Sequence, residues 1–197
     1  MDIIVSDLSK SFGANCVLDR FNAIFPEHGM TCIMGPSGCG KTTLLNILMG
    51  LISSDSGTVF GVPGLKSAVF QEDRLCEGFN AVSNVQFVCD KRTDKSQIII
   101  HLENIGLKGS LGQPVRELSG GMKRRVAIVR AILLQSDILF LDEPFKALDD
   151  ETKKVTMDYV KDNTKGRTVI MVTHDINEAR AMGGQLLTMS GKSKNDN

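Results

Sequence analysis

A glycine-rich octapeptide near the N-terminus restricts this chain to a small set of folds. Residues 35–42 read Gly-Pro-Ser-Gly-Cys-Gly-Lys-Thr and match the pattern G-x-x-x-x-G-K-[ST]. An apolar run at residues 31–34 precedes the motif, and a helical pattern at residues 41–51 follows it. Backbone N–H groups of such a loop, with the positive end of the following helix, bind phosphate oxygens. The sequence therefore predicts a phosphate-binding loop between a strand and a helix.

Every residue of this loop is a candidate nucleotide contact. Lys41 is expected to reach the terminal phosphates, and the Thr42 hydroxyl is a candidate ligand for Mg²⁺. The other candidates in the loop are Gly35, Pro36, Ser37, Gly38, Cys39 and Gly40. The alternative is a glycine-rich turn before an ordinary helix, and the four fixed positions arise by chance in about one chain of this length in a hundred. The loop alone does not distinguish a kinase, a GTPase or a motor ATPase.

Polar or glycine-rich residues follow each of four short apolar runs, at residues 31–34, 68–70, 138–141 and 169–172. Such runs are typical of buried parallel strands. In an open α/β sheet, ligands bind beyond the carboxyl ends of the strands. We therefore expect one site to collect the residues that follow the four runs, namely the phosphate loop, Gln71, Asp142 with Glu143, and His174.

Two adjacent acids, Asp142 and Glu143, carry the chemistry expected at this edge of the sheet. Asp142 is a candidate ligand for Mg²⁺, directly or through its water shell, and Glu143 is a candidate general base for an attacking water. His174 is a candidate contact to the terminal phosphate, and Gln71 is a candidate Mg²⁺ ligand. Alone, the acids could cap a helix and the histidine could be an ordinary polar residue at a strand end. Their shared position favours a catalytic site.

The remaining patterns predict an α/β fold of the P-loop NTPase (RecA-like) class, with a parallel-sheet core, an antiparallel β appendage and a helical insertion. Further helical patterns lie at residues 95–105, 122–134 and 150–162, and alternating strands at residues 2–25 and 57–60. We expect one domain over residues 1–197. Its predicted parts are a core at 1–71 and 136–190, a helical subdomain at about 72–135 and a frayed polar tail at 191–197.

Composition excludes several classes of protein. Zero net charge gives no basic excess of the kind that nucleic-acid binders show, so we expect no nucleic-acid partner. The five cysteines form no C-x-x-C pair, which argues against a disulfide framework or a zinc site. No window approaches the roughly 18 consecutive apolar residues that a membrane span needs. If the protein works at a membrane, we expect another chain to cross it.

A second glycine motif points to a family. Leu118-Ser119-Gly120-Gly121-Met122, followed by a basic helix, resembles the signature motif of the ATP-binding-cassette (ABC) ATPases. Serine, two glycines and a helix N-terminus make a second phosphate cradle, which one subunit with its own loop does not need. The phosphate loop, Gln71, the signature, the acid pair, residues 147–149 and residues 173–175 follow the family order over nearly the whole chain.

The resemblance implies a role for each matching residue. Phe12 would stack on adenine beside Val17, and Lys41, Thr42 and Thr43 would bind phosphates and Mg²⁺. Glu143 would direct the attacking water, with Lys41, His174 and Gln71 completing the catalytic set. Residues that would meet the ATP of a partner subunit are Ser119, Gly120, Gly121 and Asp149. Two ATP molecules would then lie between two copies of the chain arranged head to tail.

Residues 70–75, Met122 and residues 142–145 further resemble importers of the nitrate, sulfonate and taurine type. That resemblance implies a cytoplasmic subunit on the inner face of the cell membrane, docked under a permease through a groove beside Gln71 and the helical insertion. An extracytoplasmic solute-binding protein would deliver the solute. The alternatives are a soluble cassette ATPase acting on DNA or ribosomes, a regulatory module without turnover, and a kinase. Lys146 stands where family members commonly carry a small residue.

Overall fold

The computed structural model of the protein describes residues 1–90 and 93–190, in which the strands belong to two sheets. The strands are β1 (Ile3–Phe12), β2 (Asn15–Phe25), β3 (Met30–Met34), β4 (Ser56–Phe60), β5 (Lys66–Val69), β6 (Ile138–Asp142), β7 (Thr168–Val172) and β8 (Gln185–Thr188). One sheet is antiparallel in the order β2-β1-β4, and the other is parallel in the order β5-β6-β7-β3-β8.

Helices cover the parallel sheet. They are α1 (Lys41–Met49), α2 (Ala81–Gln86), α3 (Lys95–Asn104), α4 (Gly120–Leu133), α5 (Asp150–Asn163) and α6 (Ile176–Met182), with a short 3₁₀ turn at Val115–Glu117. Helices α2 and α3 pack against α4 and against each other. In the described part of the chain, no helix is both long and apolar enough to cross a bilayer.

The parallel sheet separates two apolar layers. In β6, Ile138 and Phe140 face a layer shared with α1 and the antiparallel sheet, whereas Leu139 and Leu141 face a layer shared with α2 to α6. Successive side chains of a strand point to opposite faces, so a strand buried on both faces has no polar alternation. All five residues of β6 are buried, and so are all five of β7.

This architecture confirms the predicted fold class, while several boundaries were wrong. The strand predicted at residues 68–70 is Lys66–Val69 in the structure. The prediction missed its first half because Lys66 and Ser67 are polar and interrupt the apolar run. The helix predicted at 41–51 ends at Met49, since Gly50 adopts a left-handed conformation that closes its last turn. Strand β8 and helices α2 and α6 were not predicted. The tail predicted at residues 191–197 lies outside the described residues.

Candidate functional site

The carboxyl ends of the central strands surround a cleft of about 530 Å³. Residues from five separate stretches of sequence line it, and most of the predicted site residues are among them. Those are Phe12, Val17, Ser37, Gly38, Gly40, Lys41, Thr42, Thr43, Gln71, Glu143 and His174. The parallel sheet thus brings together residues that are up to 137 positions apart in sequence, from Ser37 to His174, because each follows a strand of the same direction. Phe12 and Val17 reach the cleft from the antiparallel sheet.

Lys41 lies at the floor of the cleft as the first residue of α1. Its side chain is only 8% exposed, and its ammonium donates to the carbonyls of Gly35 and Pro36 at 2.8 Å each. Gly35 and Pro36 therefore shape the loop through their backbone and do not line the cleft themselves. Cys39 is buried and faces a neighbouring depression instead. A buried ammonium held by two carbonyls is positioned to bind an anion that enters the loop.

Thr42 and Asp142 form a pair beneath the cleft. The Thr42 hydroxyl donates to Asp142 Oδ2 at 2.9 Å, while Asp142 Oδ1 is buried and has no hydrogen-bond partner among the described residues. Burial raises the pKa of Asp142, although the Thr42 hydrogen bond opposes this shift and the Glu143 charge adds to it. A hydroxyl beside an unsatisfied carboxylate oxygen is a donor set that suits a hard cation such as Mg²⁺.

Glu143 projects into the cleft from an unusual backbone conformation. Its φ of 48° is left-handed, which is strained for a residue with a side chain, and its N–H donates to the carbonyl of Val172 at 3.0 Å. Its Oε1 lies 3.5 Å from His174 Nδ1, and its Oε2 lies 3.0 Å from Lys146 Nζ. Burial raises the pKa of this carboxyl, but Lys146 and His174 outweigh burial, so the pKa lies below its ordinary value.

An aromatic ring closes the outer side of the cleft. Phe12 ends β1 and is 53% exposed, with the Lys10 ammonium 5.5 Å from the centre of its ring. Val17 on β2 lies beside it in the lining. An exposed phenylalanine face next to a phosphate-binding loop is suited to stacking on a planar base.

The residues predicted to form a second cradle lie away from this cleft. Ser119 caps α4, its hydroxyl accepting from the Met122 N–H at 3.3 Å, and both Ser119 and Gly120 are exposed. Asp149 caps α5 by accepting from the Thr152 N–H at 2.9 Å, and this hydrogen bond is the main reason that its pKa is lowered. The structure therefore does not bring Ser119, Gly120, Gly121 and Asp149 to the nucleotide cleft of their own chain.

Sequence reasoning missed two basic residues. Arg124, on α4, is 6% exposed and donates to the carbonyls of Phe70 and Gln71, with Nε 3.3 Å from Asp73 Oδ1. Arg124 is therefore not part of a solvated helix face. Lys146 lines the cleft beside Glu143. Lys146 could have been found from the sequence, because it departs from the small residue that family members commonly carry there. Nothing in the spacing of the basic run shows that Arg124 points inward.

Comparisons with known proteins agree with this geometry. The sequence profile of the ABC transporter family matches residues 18–146. The chain is 36% identical to the aliphatic sulfonates import ATP-binding protein SsuB 1 of Pseudomonas syringae pv. syringae, over 98% of this chain and 81% of the relative. It is also 36% identical to the bicarbonate transport ATP-binding protein CmpD of Synechococcus elongatus, over 95% of this chain and 75% of the relative.

A solved structure extends the likeness to three dimensions. The ATP-binding cassette MJ0796, as a dimer in a post-hydrolysis state with ADP and phosphate, superposes with a TM-score of 0.82 at 27% identity. The match covers 97% of this chain and 97% of that one. With the phosphate loop and the acid pair at one sheet edge, these similarities identify the chain as a member of the ABC transporter family, an ATP-binding subunit that hydrolyses ATP.

Proposed function

We propose that the protein is the ATP-driven motor of an importer for a small anionic solute. The observation that carries this proposal is the convergence of the phosphate loop, Gln71, Glu143 and His174 on one cleft, with Asp142 bonded to Thr42 beneath it. The imported solute belongs to the sulfonate, nitrate, taurine or bicarbonate type. Support for that class comes from the names of the sulfonate and bicarbonate import relatives, which match 95% or more of this chain.

In this proposal each cleft residue has one task. Phe12 and Val17 hold the adenine of ATP, while the phosphate loop, Lys41 and Thr43 hold its phosphates. Glu143 accepts a proton from the attacking water, and His174 contacts the terminal phosphate.

Thr42, Gln71 and Asp142 would hold Mg²⁺, with Asp142 acting directly or through water. A bound Mg²⁺ would neutralise charge on the phosphate oxygens. The unsatisfied Asp142 Oδ1 and the hydroxyl beside it support this assignment.

A second copy of the chain completes each site. We infer that Ser119, Gly120 and Gly121 bind the ATP of the partner subunit and that Asp149 lies at the contact between the two subunits. Support comes from the exposure of the Ser119 cap and from its position outside the cleft of its own chain. We also propose that the chain acts as one domain, with residues 72–135 as the helical unit that carries this second cradle.

An apolar groove is the proposed docking face for the permease. It encloses about 330 Å³ between the end of α1, strand β5 and the end of α4, and its apolar lining is Met49, Leu51, Ala68, Phe70, Val88, Ala131 and Leu134. The segment that follows β5 leads directly to Gln71, so a partner bound here would be linked to the nucleotide site. The protein would then act on the cytoplasmic face of the membrane, with a solute-binding protein on the opposite side.

Steady-state ATP hydrolysis tests the enzymatic part. Replacing Glu143 with Gln is expected to lower kcat by about 100-fold or more, since a general base contributes roughly 10²- to 10⁴-fold. ATP affinity should persist because Lys41 and the loop are unchanged. The control Glu103→Gln removes an exposed acid on α3 and should retain the wild-type rate. A Glu143→Gln protein that hydrolyses ATP at the wild-type rate would overturn the assignment of the base.

Solute uptake by the native cells tests the transport part. Radiolabelled sulfonate, nitrate and bicarbonate would be supplied to cells carrying the wild-type chain, Glu143→Gln or Leu51→Asp. Leu51 is exposed in the groove, so Leu51→Asp should abolish uptake of one solute while the isolated protein hydrolyses ATP normally. The control Leu65→Asp changes an equally exposed leucine outside the groove. If Glu143→Gln leaves the uptake of all three solutes unchanged, the import proposal fails while the ATPase assignment stands.

A further inference from the structure

Lys146 shares the cleft with the catalytic carboxylate in a tight turn. The Lys146 N–H donates to the Glu143 carbonyl at 3.2 Å, and left-handed residues at Glu143 and Ala147 bracket the turn, with φ of 48° and 62°. This backbone places the two side chains next to each other, with Lys146 Nζ 3.0 Å from Glu143 Oε2. The carboxylate is only 16% exposed, whereas the lysine side chain is 59% exposed. The lysine can therefore move more easily than its partner.

Lys146 covers one oxygen of Glu143 in this arrangement. Its Nζ lies 3.0 Å from Oε2, which is buried and accepts no hydrogen bond among the described residues, while His174 Nδ1 lies 3.5 Å from Oε1. A general base needs an oxygen that a water molecule can reach. The ion pair therefore describes a resting state in which Oε2 of Glu143 is shielded from water.

We propose that Lys146 is a positioning residue that exchanges its contact with Glu143 for the terminal phosphate of ATP. This inference rests on the proposed role of Glu143 as the base. The terminal phosphate is a competing anion in the same cleft, and a flexible ammonium can follow it without a change in the backbone. The exchange releases Glu143 Oε2 for the attacking water when ATP is present, so substrate binding itself prepares the base.

The alternative is an ordinary exposed ion pair with no part in the reaction. Exposed pairs contribute little, and two other i,i+3 pairs among the described residues, Lys161–Asp158 and Lys165–Asp162, join an exposed lysine to an exposed carboxylate. The Lys146 pair differs from Lys161–Asp158, which is also an i,i+3 pair, because it ends on a largely buried carboxylate inside the nucleotide cleft. Lys161 is therefore a matched control, with the same charge and a pair 2.8 Å long outside the cleft.

A double-mutant cycle on ATP affinity tests the exchange. The dissociation constant of Mg-ATP would be measured for the wild type, Lys146→Ala, Glu143→Gln and the double variant. In the wild type, Lys146 must give up its ion pair with Glu143 before it contacts the phosphate, so this contact adds less to ATP affinity. In Glu143→Gln no charged pair must be broken, so Lys146→Ala should weaken binding by about three- to tenfold more there than in the wild type. Additive effects of the two substitutions would overturn the proposal.

Steady-state kinetics provides the second measurement. Lys146→Ala should raise KM for ATP about three- to tenfold with kcat unchanged or higher, and Lys146→Arg should restore KM to within about twofold. Lys161→Ala should match the wild type. A fall in kcat at constant KM, or no change at all, would contradict the exchange. Because the cycle measures binding alone, it can be interpreted even if Glu143→Gln retains activity and the assignment of the base fails.

Discussion

At Gly35 the phosphate loop leaves no room for a side chain. A Cβ there would lie 2.4 Å from the Met189 carbonyl oxygen and 2.8 Å from Cys39 Sγ. We expect Gly35→Ala to lower the free energy of unfolding by about 1–3 kcal/mol, because the backbone after β8 must move. Urea denaturation measures the change. Gly64→Ala is the control, since a Cβ at Gly64 meets nothing within 4 Å, and equal midpoints for the two variants would contradict the prediction.

Individual site residues differ in how well the sequence predicts them. Lys41 and Thr42 could be placed because their motif combines fixed residue types with fixed spacing and both flanking elements. The inward direction of Arg124 could not, since it depends on how α4 packs against residues 70–73. The pair between Lys146 and Glu143 also needed the left-handed turn, which no residue type at these positions predicts.

At the scale of elements, Arg124 fastens the segment after β5 to helix α4. Hydrogen bonds from a charged group contribute roughly 1.5–3 kcal/mol each, so Arg124→Gln should let residues 70–74 open at least about tenfold more often. Amide hydrogen exchange of that segment measures the opening. Because Gln71 belongs to the same segment, ATP hydrolysis should fall as well.

Arg116→Gln is the matched control for this prediction. Its guanidinium is largely exposed and pairs with Glu117 at 3.9 Å, away from the segment. Exchange in residues 70–74 should therefore match the wild type in Arg116→Gln. Equal exchange in Arg124→Gln and Arg116→Gln would show that the three contacts of Arg124 do not hold the segment.

The sequence predicts strands best where every residue of the strand is buried. Strands β6 and β7 are buried throughout and appear in the sequence as continuous apolar runs. Strand β8 was missed because it is at the edge of the sheet, with three of its four residues exposed, and its sequence lacks such a run. Helices α2 and α6 have six and seven residues, which is too short for a 3.6-residue period to be recognised.

At the scale of the whole molecule, the phosphate loop and the proposed second cradle at Ser119 have different surroundings. The loop at residues 35–42 meets a cleft with acids, a histidine and an aromatic ring, whereas the Ser119 cradle faces outwards without them. The cradles lie on different layers of the parallel sheet, since α1 packs with one apolar cluster and α4 with the other. A single chain therefore cannot use both for one nucleotide unless the layers separate, but two chains can.

Light scattering on Glu143→Gln protein tests this two-chain site. Slow hydrolysis should retain ATP, so saturating Mg-ATP is expected to shift the molar mass from that of a monomer to that of a dimer. Adding Ser119→Arg should abolish the shift, because a large cation would fill the second cradle, while ATP binding by each monomer persists. Ser53→Arg, which changes an exposed serine outside the cradle, should leave the dimer intact.

The protein could instead bind ATP yet stay monomeric at every protein concentration tested. Dimer closure would then require the permease, which raises the effective concentration of the two subunits, or the signature motif would have another role. Reconstitution with the permease decides between these two outcomes, since only the first predicts that Ser119→Arg still blocks ATP hydrolysis there.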